Sequence, residues 1–221
     1  MSPRVKFTKL RIVLIGITVA LVVAMALSTK VVSLTDANST FRTGTTSLQA
    51  NPKLSVSFAD KKWPEVVPYI KAHAVDILEV DKGIQADITN VGPKYGHTDG
   101  PGNAYAVPVK FTGVGQAMVN DFLPVKVAGL SSAATIYVQM GPALNGTSLR
   151  DVTGTVKFED FVNQLAYQDA ATKLNDKVRE TVLKPFKHGD LVGKTITLYG
   201  AMSVTNPTNY IVIPTEITVG K

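Results

Sequence analysis

The sequence predicts an α+β domain, an antiparallel sheet or small barrel whose strand clusters flank a helix, carried behind one N-terminal membrane-spanning helix. Three observations predict it. Ile12 to Thr29 form a run of eighteen residues without a charged side chain. Two clusters of β-branched and aromatic residues, within 105–140 and 195–219, read as strands. Before and between these clusters, apolar residues recur at the spacing of a helix face.

The apolar run comes first. As a helix it would rise about 27 Å, close to the roughly 30 Å hydrocarbon core of a bilayer. Arg4, Lys6, Lys9 and Arg11 crowd its N-terminal side, and cationic flanks stay in the cytoplasm. Ala24-Met25-Ala26 offers a small-residue cleavage site, which keeps a removable signal peptide open as an alternative. Apolarity continues through Leu27, with Val31 and Val32 soon after, and this favours an uncleaved anchor. The expected organisation is a cytoplasmic basic segment over 1–11, the anchor over 12–29, a polar tether over 30–57 and an extracytoplasmic domain over 58–221. The protein is thus expected in the inner or plasma membrane, single-pass, with its C-terminal domain outside. Ser, Thr, Asn and Gly dominate 35–51, the middle of the tether.

Composition narrows the chemistry. The chain has 221 residues, 45% hydrophobic and 18% charged, ordinary values for a globular domain with a membrane segment. The pI of 9.4 suggests nucleic acid, but residues 1–11 hold four of the six net positive charges. The remainder is about +2, too little to draw in a phosphate backbone. No cysteine is present, which excludes disulfides, thiol catalysis, Cys-ligated metal sites and an N-terminal lipid on cysteine. The three histidines, His73, His97 and His188, lack a metal-binding spacing, and no metal or other cofactor is expected.

Along the domain, Asp60 reads as an N-cap, and Trp63, Val66, Val67, Ile70, Ala74, Ile77 and Leu78 as one helical stripe. Pro64 suits a first turn, whereas Pro68 bends the helix or marks its true start. Residues 83–98 read as a short helix giving way to a glycine-rich loop. Strands are expected at Tyr105–Phe111, Gly115–Phe122, Pro124–Val127 and Ala134–Met140. Gly113 and Gly115 read as a bulge or turn. A long helix follows from about Phe161 to Phe186, its stripe carrying Val162, Leu165, Ala166, Ala170, Leu174, Val178, Val182 and Leu183. The chain closes with a hairpin, Thr195–Val204 and Tyr210–Val219, turning at Asn206-Pro207-Thr208-Asn209.

The most distinctive stretch is Gly141-Pro142-Ala143-Leu144-Asn145-Gly146-Thr147-Ser148-Leu149-Arg150-Asp151. With Trp63 to Tyr69, Tyr95-Gly96-His97, Phe158 to Gln164 and Leu174-Asn175, it resembles the predicted periplasmic lipoproteins of domain of unknown function family 2291. The resemblance covers roughly Lys30 to Val219. Thr29 stands where lipoprotein members carry the lipidated cysteine, which favours anchoring by the helix itself. The resemblance implies an OB-like β-barrel with a helical lobe and no established activity. It also implies an association with sugar uptake systems of the ATP-binding-cassette type, and it supplies no catalytic residues.

Candidate binding residues are weighed against plainer roles. His97 and Asp99, in the glycine-rich loop, suit polarising a hydroxyl or capping backbone amides. Arg150 and Asp151 suit gripping a sugar or carboxylate with a forked guanidinium, or a structural ion pair, which is the simpler reading. Asn163 and Gln164 open the long helix, where their amides suit sugar hydroxyls or free backbone groups. Asn145 sits in the distinctive run. Trp63, Tyr69 and Tyr105 suit a stacking platform, but Trp63 and Tyr69 have the spacing of core anchors. Gly129-Leu130-Ser131-Ser132-Ala133 lacks the closing glycine of a nucleophile elbow.

These readings favour a non-catalytic, anchored accessory or binding protein, whose partners are the membrane and either a saccharide or a sugar transporter component. The alternative is an envelope hydrolase acting on polysaccharide through two of Asp99, Asp151, Glu159 and Asp160, which requires two carboxylates about 5–10 Å apart across a cleft.

Overall fold

The computed structural model describes residues 52–100 and 102–220. The expected basic segment, anchor and tether through residue 51 lie outside them. Helix α1 runs Pro52–His73, strand β1 Val75–Asp76 and helix α2 Ile77–Tyr95. Strands β2 (Tyr105–Gly115), β3 (Phe122–Lys126) and β4 (Thr135–Gln139) follow. Then come the short helix α3 (Ser148–Asp151), a 3-10 turn at Phe158–Asp160 and helix α4 (Gln164–Val178), which continues as a π turn over Arg179–Leu183. Strands β5 (Thr195–Val204) and β6 (Asn209–Val219) close the chain.

The single helical stripe expected from Trp63 to Leu78 is two helices. Val75 and Asp76 leave the helix to pair in parallel with Val109 and Lys110 of β2. Asp76 then caps α2, its carboxylate accepting the Leu78 N–H at 2.9 Å. Helix α1 begins at Pro52, so the last stretch of the expected tether, 52–57, is helical. Asp60 is therefore inside α1 rather than its cap, and it pairs with Lys177 of α4. Pro64 and Pro68 are both within α1. They lie at exposed positions, so the carbonyls they leave without a donor are on the watered side. Helix α2 continues through Gly92 and Pro93, further than expected. It is interrupted at Asp87, whose carboxylate restarts it by accepting from Thr89 N at 2.9 Å and Asn90 Nδ2 at 2.8 Å.

Five strands close into a barrel in the order β2-β3-β4-β6-β5-β2. The longest seam joins β2 to β5, antiparallel from Tyr105↔Val204 to Val114↔Thr195. The expectation of an antiparallel barrel needs one correction: β4 and β6 pair in parallel, Thr135↔Asn209 to Val138↔Val212. Five strands form an odd ring, and direction cannot alternate all the way round one. Four antiparallel seams therefore force the fifth to be parallel.

The expected strand Gly115–Phe122 is instead the end of β2 and the turn into β3, with Asn120 at φ 52°. Gly113 and Gly115 are paired strand residues and not a bulge or turn. A Cβ on Gly113 would sit 2.7 Å from the Lys126 carbonyl oxygen, and one on Gly115 would sit 2.3 Å from that of Leu191.

Two apolar clusters hold the domain. One fills the barrel with Val107, Val109, Leu123, Ile136, Leu198 and Val212, and is joined by Ile77, Val80 and Ile84 of α2. The other lies outside the barrel wall, where Val66 and Ile70 of α1 and Leu174 and Val178 of α4 cover Ala106, Ala201 and Ile213. Both faces of β2 are thus covered at its start, which explains the unbroken burial from Ala106 to Val109. Trp63 and Tyr69 are partly buried and pack against the outer cluster, in keeping with the core-anchor reading. Helix α4 starts at Gln164, capped by Asn163. Val162 and Leu165, expected on its buried stripe, are 69% and 52% exposed.

Candidate functional site

The site is built around Arg150. The distinctive run leaves β4, turns through Gly146 at φ 111° and winds into α3, all four of whose residues are buried. Asn175 of α4 holds this run in place, its Nδ2 donating to the Gly146 carbonyl at 3.0 Å. A guanidinium buried here must be satisfied on every side. Arg150 Nε donates to Asp151 Oδ1 at 2.7 Å, Nη2 to Oδ2 at 3.0 Å and Nη1 to the Tyr167 carbonyl at 3.1 Å. Its central carbon stands 3.3 Å from the centre of the Tyr167 ring, in cation–π contact. Tyr167 closes the knot, its hydroxyl donating to Asp151 Oδ1 at 3.3 Å. Burial raises the Tyr167 pKa; its hydrogen bond to Asp99 and the Asp151 charge raise it further, and Arg150 opposes them. The phenol stays a neutral donor.

Above this knot opens a cavity of about 440 Å³. Its walls include Arg150, Asp151 and Tyr167, all buried, with Asp99, Phe158 and Gln164 around them. Asn103 and Gln168 add two exposed amides. Four of the seven residues singled out in the sequence, Asp99, Arg150, Asp151 and Gln164, therefore share one concavity. Asp99 Oδ1 also accepts the Phe158 N–H at 3.2 Å, which ties the glycine-rich loop to the 3-10 turn.

The other three are elsewhere. Asn163 caps α4, its Oδ1 accepting the Ala166 N–H at 2.8 Å. His97 bonds Tyr69 through Nε2 at 2.9 Å, and its ring lies against Gly154, where a Cβ would come within 2.7 Å of it. Asn145 lines a second cavity of about 250 Å³ with Gln139, Phe122 and Ile211. The distinctive run is the wall between the two: Asn145, Gly146 and Ser148 line one cavity, and Thr147, Arg150 and Asp151 the other.

Sequence reasoning missed Tyr167, Gln168, Asn103 and Phe158. Tyr167 and Gln168 lie three and four residues beyond Gln164, on the same face of α4, and that spacing was the available signal. Of the four carboxylates in the hydrolase alternative, Asp99 and Asp151 line the cavity. Asp160 instead accepts the Lys157 N–H at 3.0 Å, and Glu159 is exposed. Among the described residues no group of three or more His, Asp or Glu side chains is placed to hold a metal ion.

The five-stranded closed barrel with its helical lobe defines an OB-type barrel protein. It superposes on the crystal structure of an OB-fold protein from Thermotoga maritima with a TM-score of 0.62 and 20% identity, over 75% of this chain and 98% of that one. At that identity the likeness shows the fold. The chain belongs to the family described as predicted periplasmic lipoprotein, domain of unknown function 2291, which matches residues 18–218. That description agrees with an extracytoplasmic location, although this chain carries no cysteine to lipidate. No curated protein matches it.

Proposed function

We propose that the protein is a membrane-anchored, non-catalytic accessory protein that binds a hydroxyl-rich small molecule, a saccharide, in the Arg150 cavity on the outer side of the membrane. The carrying observation is the lining. Three amides and one carboxylate, from Asn103, Gln164, Gln168 and Asp99, share the lining with the exposed ring of Phe158, while the buried Tyr167 ring is covered by Arg150. Amides and carboxylates exchange paired hydrogen bonds with vicinal hydroxyls, and aromatic rings take the C–H faces of a sugar. The volume lies within the roughly 300–1,000 Å³ of small-molecule sites. The Arg150–Asp151 pair serves as a rigid floor, its polar atoms already spent on each other and on Tyr167. Delivery to a sugar importer of the ATP-binding-cassette type is the partner role that fits this reading.

One observation favours a second reading: Asp99 and Asp151 share the cavity, as a glycoside hydrolase requires. Against it, both Asp151 oxygens are engaged by Arg150. Screening the tagged full-length protein on a glycan array, while assaying each bound glycan for new reducing ends, separates the two. Binding without cleavage supports the proposal. Cleavage abolished by Asp99→Asn moves the assignment to the hydrolase, and silence on both counts ends the saccharide reading.

A further inference from the structure

Asn145 lines not the Arg150 cavity but the smaller one on the other side of the distinctive run. That cavity measures about 250 Å³, and none of the described residues lining it carries a charge. Four polar side chains face it, those of Asn145, Ser203, Thr205 and Asn209. Among the described residues none of these four side chains has a hydrogen-bond partner. Beside them are the ring of Phe122 and Ile211, the latter 44% exposed. Unspent amides and hydroxyls next to apolar surface suit a neutral ring that bears hydroxyl groups. A charged ligand would lose its water here without gaining a counter-charge.

The volume falls below the roughly 300–1,000 Å³ of complete small-molecule sites, so this cavity holds part of a ligand. The remainder has a short path to follow. Thr147 lines the larger cavity and Ser148 the smaller, so the wall between them is one backbone thick, with consecutive Cα atoms about 3.8 Å apart. Asn145 and Gly146, at its top, are exposed to solvent, which leaves the way over it open. The top is also held in place. Gln139, itself buried, donates from Nε2 to the Asn145 carbonyl at 2.7 Å and accepts the Asn145 N–H at 2.7 Å, while Asn175 holds Gly146 from α4. A ligand lying across the wall therefore finds it already ordered. We propose that the smaller cavity is a second sugar subsite, and that the protein takes an oligosaccharide lying across Asn145 and Gly146 with one sugar residue in each cavity. This rests on the saccharide reading of the Arg150 cavity and narrows it to a chain whose residue in the smaller cavity is uncharged.

Thr205→Ala and Asn209→Ala test the second subsite. Both positions are exposed and the side chains have no partner among the described residues, so Tm is expected to hold. The full-length variants, with Gln168→Ala beside them, are titrated with the glycan that binds best on an array and with its shortened forms down to the monosaccharide. In wild type, affinity is expected to rise about tenfold or more from the monosaccharide to the longer chain. Thr205→Ala and Asn209→Ala should each cut that gain roughly three- to tenfold, the value of about one hydrogen bond. Gln168→Ala should instead weaken monosaccharide and chain alike. A monosaccharide bound as tightly as the chain, or a gain with length that both variants keep, overturns the second subsite. If Gln168→Ala still weakens binding in that case, the saccharide reading of the Arg150 cavity stands. A wild type that binds no glycan overturns both.

Discussion

Tyr210 Oη donates a 2.7 Å hydrogen bond to Oδ1 of Asp81, joining strand β6 to helix α2 between two buried side chains. Among the described residues no cation forms an ion pair with the carboxylate. Ser131 donates to it from N at 2.8 Å and from Oγ at 3.0 Å, and Gln85 at 3.4 Å. Burial acts to raise the pKa of Asp81, and these donors outweigh burial and hold it below the ordinary carboxylate value.

A lowered folded-state pKa has a definite sign. The ionised Asp81 contributes its stability above its unfolded pKa, about 3.9, and loses it as pH falls through the folded value. Tyr210→Phe removes the shortest donor, raises the Asp81 pKa and moves acid unfolding to higher pH, at a cost of about 1–3 kcal/mol at neutral pH. Circular dichroism against pH checks the shift. An unchanged acid midpoint would show that the pair does not set it.

Arg150→Ala strips the buried Asp151 carboxylate of its guanidinium partner and leaves it the Tyr167 hydroxyl, at a cost of about 3–5 kcal/mol. For a domain of this size that lowers Tm by roughly 6–20 °C. Arg150→Lys recovers little, because an ammonium cannot fork onto both carboxylate oxygens or stack on Tyr167. Calorimetry on the three proteins tests this; a transition unmoved in Arg150→Ala assigns the guanidinium to a ligand instead.

Gly115→Ala sets a methyl group against the Leu191 carbonyl, where 2.3 Å is available. The expected loss is about 1–3 kcal/mol, read from a denaturant midpoint with unchanged slope. Full stability in the variant would show that the segment around Leu191 yields freely.

Asn163→Ala removes the side-chain acceptor for the Ala166 N–H and costs about 1 kcal/mol. Glycan affinity is expected to survive it, since Asn163 is outside the cavity lining. A loss of affinity larger than the loss of stability would return this residue to the site.

Several of these features were legible in the sequence, for physical reasons. The strand clusters and the closing hairpin show because half-buried strands demand β-branched and aromatic residues. The Asn206 turn shows because an amide that accepts from Thr208 N and Asn209 N is what such a turn needs. Barrel closure is a property of how distant strands pair, and no local pattern reports the parallel β4–β6 seam. The α1–α2 break was hidden because Ile77 and Leu78 continue the apolar spacing of α1 while facing a different cluster. Gly113 and Gly115 read as turn residues because a close approach to backbone and a turn require the same missing side chain. In the site, Arg150 and Asp151 were visible as a charged pair within an otherwise neutral run. Tyr167 was not, since its role depends on α4 crossing over α3.

The saccharide assignment is tested most directly by calorimetric titration of the full-length protein with the best glycan from the array, alongside the Gln168→Ala and Asn103→Ala variants. Each exposed amide should carry about one net hydrogen bond, so affinity is expected to fall roughly tenfold in each, with Tm unchanged. Equal affinity in wild type and both variants would contradict the account, because the ligand would then be bound outside the Arg150 cavity.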